Sequence, residues 1–304
     1  MKYPARPSRL AAKKNPPKKK NFGRWILLAL IVLLIVAIIY ILFGPHIWDA
    51  KSRLSIALQK KNGDVEVVTL DPSSSSITTI NIPATTQVSA SRDLGTWKLG
   101  SIQKLGINEK LDGGSFLASS ITKSFKFPVE AWGDESMDSL SFFSLFRQTS
   151  TNLHLKDKIA IALFSFGIKS ASRVDINLAN TGYIVGAKLP DGTNGYEISL
   201  NIPVKVSSVF TDALISKRGV NVVIVDKMQS DFVSGRVGEI IEVLGAKISS
   251  IEKEDALPID CIVAGNDPIV GKLANLFKCK VEAKKLNSNV EAEITLGQNF
   301  KKRF

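Results

Sequence analysis

Apolar and polar positions divide the chain sharply near its start. From Trp25 to Phe43 it reads WILLALIVLLIVAIIYILF, 19 residues without a charge or a proline. As a helix this run is roughly 28 Å long, close to the hydrocarbon thickness of a bilayer. A core helix of a soluble domain would show a polar stripe over that length, and none is present. The pattern predicts a transmembrane helix over residues 25–43.

Beyond that run the periodicity predicts an α/β chain. Leu54–Leu58 and Val65–Leu70 read as strands separated by the turn Lys61-Asn62-Gly63-Asp64, and Ile77–Ile82 as a third strand ended by Pro83. Residues 88–114 are mixed and loop-rich. Helical spacing of apolar residues returns over 115–125 (SFLASSITKSF), and residues 138–146 and 157–166 read as two further helices. Val129–Trp132 reads as a short strand, as do Val174–Leu178 and Gly195–Leu200 around the Asp191-Gly192 turn. From Gly219 the signal sharpens. VNVVIV (220–225) is a buried strand, Asp231 stands as the N-cap of a helix running to Leu244, and Gly245 occupies the C′ position. Ala246–Ile251 and IDCIVAG (259–265) are strands, and Asp267-Pro268 opens a helix to Phe277, with Asp at N-cap and Pro at N1. Lys280–Ala283 and Glu291–Leu296 supply two last strands. This βαββαβ-like unit of about 85 residues can hold a core when a neighbour backs it. The expected organisation is a basic cytosolic tail (1–24), a signal anchor (25–43), a juxtamembrane linker (44–53) and two α/β domains (54–207 and 219–304), with a boundary near Ser207–Gly219.

Charge sets the orientation and removes one class of function. Nine Lys or Arg and no acid precede the apolar run, while Gly44 to Lys51 holds one acid and one base, so the N-terminus is expected in the cytosol. A cleaved signal peptide would have a shorter apolar region and a small-x-small site, which residues 43–50 (FGPHIWDA) do not offer. The expected location is therefore the cytoplasmic membrane, single-pass, with both α/β domains extracytoplasmic and Trp25 and Trp48 at the two interfaces. Of the formal +12, the tail carries +9; the remainder holds 31 bases against 28 acids. The tail, extended and disordered by Pro4, Pro7, Pro16 and Pro17, is expected to set topology and meet anionic lipids. Nucleic acid is not an expected partner.

Little catalytic chemistry is legible. His46 and His154 lie far apart, with no ligand set at metal spacing, and no cofactor or metal site is expected. GNDPIVGKL (265–273) has five residues between its glycines and Leu273 where a phosphate loop needs a hydroxyl. There is no Gly-x-Ser-x-Gly elbow. Glu239, Glu242, Glu252, Glu254 and Asp255 read as solvated charges, and Phe142, Phe143 and Phe146 as core. Cys261 and Cys279 lie beyond the membrane, where a disulfide is permitted; beside predicted apolar strands, two buried free thiols are the plainer reading.

The order of basic tail, anchor, α/β domain and small α/β domain resembles the LytR-CpsA-Psr family of bacterial envelope proteins followed by a LytR-type C-terminal domain. LDPSSSSITTINIP (70–83) is similar to the strands leading into that family's Pro-Arg-Asp-Thr motif. Residues 105–132 are similar to its Ile-Asn…Gly-Gly segment and the helix and strand beyond, through Ile107, Asn108, Gly113, Gly114, Pro128 and Val129. Residues 220–251 and 291–300 are similar to the C-terminal domain. The resemblance implies transfer of a glycopolymer from a polyprenyl-pyrophosphate carrier to peptidoglycan. That chemistry needs arginine forks and a divalent ion held by carboxylates.

The motif departs where that chemistry needs it. Pro-Arg-Asp-Thr is replaced by Pro83-Ala84-Thr85-Thr86, so the arginine position is Ala84 and the aspartate position Thr85. The Asp- and Arg-bearing loop between the first strands shrinks to QKKNGD (59–64), and Arg147 and Arg173 stand alone where an Arg-x-Arg pair is sought. A degenerate first domain that scaffolds or binds, with no catalytic, cofactor-binding or metal residues, is the expected function. Its expected partners are the membrane and peptidoglycan, polyprenyl-linked glycan or envelope proteins. The alternative is a divergent glycopolymer phosphotransferase using other cations, with Arg92 the first candidate, although Arg92-Asp93 reads most simply as a solvated loop pair. Lys98 and Lys104 read as surface lysines. No role is legible for residues 150–200. A transcriptional regulator would have only the 24-residue tail in the cytosol and is not expected.

Overall fold

The computed structural model describes residues 27–28, 30–33, 36, 44–134, 137, 140, 144–145, 150–265, 268–286 and 289–304. The chain divides into two units, Met1–Gly44 and Pro45–Phe304. In the first, Leu27, Leu28, Leu30, Ile31, Val32, Leu33 and Val36 are helical and exposed. Among the described residues no helix is long and apolar enough to cross a membrane. The basic tail and most of the Trp25–Phe43 span lie outside the described residues, as do the Phe142, Phe143 and Phe146 cluster, most of the 138–146 helix, Arg147 and Asp267.

Within 45–304 the described residues build two five-stranded sheets and their covering helices. In the first sheet β1 (Leu54–Gln59), β2 (Val65–Asp71) and β3 (Ser76–Ile82) form consecutive antiparallel hairpins. Its edges are β6 (Ala131–Gly133) and β7 (Arg173–Asn177), each parallel to its neighbour, giving the order β6-β1-β2-β3-β7. Strand β2 is buried along its whole length because both faces are covered. Alternation sends Ala57, Val65, Val67, Ile80 and Ile82 to one core, shared with α1 (Leu99–Asn108) and α2 (Gly113–Phe125). Leu54, Ile56, Leu58, Val68 and Leu70 go to the other, shared with α3 (Leu155–Gly167). The result is a helix–sheet–helix sandwich, a mixed α/β architecture.

Helix α2 starts where Asp112 accepts a bond from Ser115 N (3.0 Å) and stops at Lys126, whose φ of 60° is left-handed. Gly114 in its first turn is required: a Cβ there would lie 2.0 Å from Trp132 Cε3. Helix α1 falls in the stretch that the pattern left loop-rich; Gly100 and Gly106 dilute a periodicity that Leu99, Ile102 and Leu105 otherwise carry. Within the same stretch β4 (Gln87–Ser89) and β5 (Thr96–Lys98) form a small hairpin. The Asp191-Gly192 turn joins β8 (Ile184–Lys188) to β9 (Asn194–Ile198), rather than Val174–Leu178 to the strand that follows. Those earlier residues pair with β3 instead, because Val174 and Ile176 extend the main sheet.

Trp48 does not face a membrane interface. It is 2% exposed, packs edge-on against Phe164 with ring centroids 5.6 Å apart, and donates Nε1 to Ser52 O (2.7 Å). Buried Asp157 holds this segment, its Oδ1 accepting Ile47 N (2.8 Å) and Trp48 N (3.0 Å) and its Oδ2 accepting His154 N (2.9 Å). Residues 47–53 are thus built into the fold.

Helices α4 (Val204–Phe210) and α5 (Ala213–Arg218) lead to the second sheet, of order β11-β10-β14-β12-β13. Its strands are β10 (Asn221–Lys227), β11 (Lys247–Lys253), β12 (Cys261–Gly265), β13 (Lys280–Glu282) and β14 (Ala292–Gly297). Helices α6 (Asp231–Leu244), α7 (Pro268–Phe277) and α8 (Gln298–Arg303) cover one face around Val222, Ile224, Val263 and Ile294. The N-cap of α6 is Ser230, one residue before the expected Asp231, and Gly245 ends the helix with φ 106°. Val243 of α6 packs into the core of the first sheet, so the two sheets share apolar contacts.

Candidate functional site

The motif position lies where β3 ends. Thr86 N bonds Pro83 O (3.0 Å), Ala84 N donates to Asp64 Oδ1 (2.7 Å), and Gly100 N donates to Ala84 O (3.0 Å). The Ala84 methyl sits close to two glycines; a Cβ on Gly100 would lie 2.9 Å from it. Thr85 is exposed and its carbonyl accepts Tyr196 N at 3.3 Å, while Thr86 is fully buried. Methyl and hydroxyl groups therefore stand at this corner, and its main chain is committed to holding β3, α1 and the β8–β9 hairpin together. In the shortened loop between β1 and β2, Asp64 is spent on Ala84 and Asn62, and Lys60 pairs with Glu66.

Other cations singled out in the sequence separate by environment. Lys98 bonds Asp191 (2.7 Å) and Thr193 (2.9 Å); the Lys98 bond, with the Thr193 hydroxyl and backbone N both donating to Asp191 Oδ1, holds the exposed Asp191 carboxyl well below its ordinary pKa. Arg173 is structural, donating to Ser165 O (2.7 Å) and Oγ (2.9 Å), and Lys104 is exposed. Arg92 and Asp93 are both left-handed (φ 60° and 52°) at the tip of the β4–β5 turn. They part company there: Asp93 reaches toward buried Lys123 (3.5 Å), and Arg92 lines a cleft with Lys278 and Arg303 from the second sheet's unit. A solvated loop pair describes their exposure but misses what Arg92 faces. Of the five carboxylates expected to be solvated, two are paired at the surface, Glu239 with Lys126 (3.0 Å) and Arg236 (3.2 Å), and Glu254 with Lys227 (2.9 Å).

A buried ion network at the meeting of the two sheets was not legible by motif. Arg53 pairs with Asp71 and donates its backbone N to Asp212 Oδ2 (2.8 Å). Lys272 lies 3.2 Å from Glu130 and 3.3 Å from Asp212, and Glu130 also accepts Ser55 N at 2.9 Å. Three carboxylates thus share two cations. Burial raises the Glu130 pKa above its ordinary value, and Lys272 and the Ser55 N–H only partly oppose it. Asp71 goes the other way: burial would raise it, but the Ser73 and Ser74 hydroxyls and Arg53 outweigh that and lower it. The available signal was Lys272 itself, three residues after Ile269 and four before Leu276 on the buried stripe of α7.

Cys261 and Cys279 form a disulfide, their Cα atoms 4.8 Å apart, rather than two thiols. Parallel pairing of β12 with β13 around α7 brings them together, which strand propensity alone does not encode. Among the described residues no group of three His, Cys, Asp or Glu side chains is placed to hold a metal ion.

No family model and no curated protein matches this chain. Solved structures do resemble it. TagT of B. subtilis is 12% identical, with 50% of this chain and 86% of that one covered at a TM-score of 0.38. TagV of B. subtilis is 12% identical over 50% and 92%, also at 0.38. YwtF (TagT) with bound octaprenyl pyrophosphate lipid is 15% identical over 53% and 89%, at 0.38. That last protein carries the LytR-CPS2A-psr family name.

Proposed function

We propose that this chain is a membrane-anchored cell-envelope protein whose two α/β domains, 54–207 and 219–304, form a non-catalytic binding or scaffold module in cell-wall assembly. The anchor rests on the 19 uncharged residues at 25–43 and the nine cations before them, which keep the N-terminus cytosolic and place the rest outside the cytoplasmic membrane. Its partners on this reading are the membrane and a peptidoglycan, polyprenyl-linked glycan or envelope protein surface.

The observation that carries the non-catalytic reading is the corner at Ala84-Thr85. Breaking a pyrophosphate bond requires cations on the phosphoryl oxygens and, in the chemistry implied by the resemblance, a carboxylate-held divalent ion. Ala84 supplies a methyl group against Gly100 and Gly63, and Thr85 a hydroxyl that is a poor Mg²⁺ ligand.

The test uses the full chain in detergent micelles, titrated calorimetrically with a short-chain polyprenyl pyrophosphate with and without Mg²⁺. Transfer of a lipid-linked glycan to peptidoglycan is assayed in parallel. The expected result is no Mg²⁺-dependent binding and no transfer, with co-sedimentation of the chain on peptidoglycan. Mg²⁺-dependent binding with turnover would overturn the reading in favour of the divergent phosphotransferase.

A further inference from the structure

The cleft that Arg92 lines uses none of residues 83–86. It opens between the β4–β5 turn, the first turn of α2 and the end of α7, and encloses about 140 Å³. That is room for about four waters, or for a small tetrahedral anion in their place. Three cationic side chains line it: Arg92 from the turn, Lys278 just after α7, and Arg303 from α8. Ser91, Ser115 and Ser119 line the same walls.

Two features separate this cleft from an ordinary basic patch. Ser91 is 1% exposed and its Oγ has no hydrogen-bond partner, although its backbone N is satisfied by Ser120 Oγ at 3.1 Å. An orphaned buried hydroxyl on a cleft wall is costly unless something in the cleft completes it. The second feature is charge. Arg303 is committed through Nε to Asp260 (2.8 and 3.0 Å) and through Nη2 to Phe277 O (2.7 Å), which fixes its guanidinium in place. Among the described residues Asp112 is the one carboxylate on the wall, and it already caps α2 through Ser115 N. Lys278 is exposed as a residue, but its ammonium reaches into the cleft to Ser115 Oγ. Desolvation there lowers its pKa, the Arg303 and Arg92 charges lower it further, and Asp112 offsets only part. The N-terminus of α2, thirteen residues long, adds partial positive charge from the same side.

We propose that this cleft binds a phosphate group, with Arg92 and Lys278 as its charged contacts, Ser91 Oγ as a buried donor and Arg303 as a fixed positive wall. A phosphoryl group offers several acceptor oxygens and so matches cations and hydroxyls arriving from three elements, whereas a carboxylate offers two. The phosphate comes from either of two sources, a free phosphate monoester or a phosphodiester within an envelope polymer. Binding there needs no Mg²⁺ and is independent of the membrane anchor and of the non-catalytic reading.

The test titrates the full chain in detergent micelles with inorganic phosphate and, separately, with dimethyl phosphate, ionic strength being held constant with chloride. Saturable binding is expected without Mg²⁺, and Arg92→Gln and Lys278→Gln should each weaken it about tenfold, the loss of one charge-assisted contact. Ser91→Ala should weaken it too without lowering the Tm of the ligand-free protein, since that hydroxyl has no partner to lose. This variant keeps the test valid even if a cation substitution unfolds the protein. Preference for inorganic phosphate identifies a free dianion as the ligand, and equal binding of dimethyl phosphate identifies a chain-linked diester. A response no greater than that to chloride, or saturable binding that ignores all three substitutions, would overturn the proposal.

Discussion

Replacing Lys272 by Met tests whether the ion network joins the two sheets energetically as well as geometrically. The ammonium lies 3.2 Å from Glu130 and 3.3 Å from Asp212, and the three side chains are 9%, 5% and 2% exposed. At an effective dielectric near 20 each contact is worth about 5 kcal/mol of Coulomb energy, much of it offset by desolvation. Methionine keeps the volume but strands two buried carboxylates, so the expected net loss is about 3–5 kcal/mol. For a unit of this size that lowers the Tm by about 6–20 °C. The pH dependence has a definite sign. Because burial raises the Glu130 pKa, the folded state keeps that proton to higher pH than the unfolded chain does. Its ionisation therefore subtracts nothing below the ordinary carboxylate range, and subtracts progressively as pH rises through the folded pKa. Without Lys272 that pKa climbs further, so the variant should be weakest at neutral pH and recover on acidification toward the ordinary carboxylate range. Thermal unfolding of the full chain in micelles, followed by near-UV circular dichroism, measures both effects. Adding Glu130→Gln to Lys272→Met should return about 1–3 kcal/mol by removing one stranded charge. A Tm loss below about 3 °C, or no recovery in the double variant, would refute the reasoning.

Two further substitutions follow from buried contacts. Asp157→Ala removes the acceptor of three backbone N–H groups and should cost about 3 kcal/mol or more, releasing Trp48 to give a red-shifted fluorescence component; Asp157→Asn, which keeps one acceptor oxygen, should cost less. Cys279→Ser opens a disulfide spanning 18 residues and should lower stability by about 3 kcal/mol, making unfolding insensitive to reductant where the native chain is sensitive.

Much of the molecule was legible along the chain. Strands β1, β2 and β3 carry their own alternation and end at their own turns, and α6 ends at a glycine that only a left-handed cap requires. The apolar run at 25–43 and the Ala84-Thr85 replacement are properties of the sequence alone. These signals sit within a few residues of one another, where side-chain period and backbone sterics act directly. Helix α1 escaped because its two glycines weaken a local signal that packing against α2 restores. The pairing of Cys261 with Cys279, the burial of Trp48 and the use of Lys272 depended on which distant surfaces meet. So did the cleft. Arg92, Lys278 and Arg303 lie on three separate elements, and nothing within reach of any one of them along the chain marks the others. Local periodicity determined the elements; only the docking of the second sheet's helices against the first decided which charges were buried together, because that cost depends on desolvation by the whole fold.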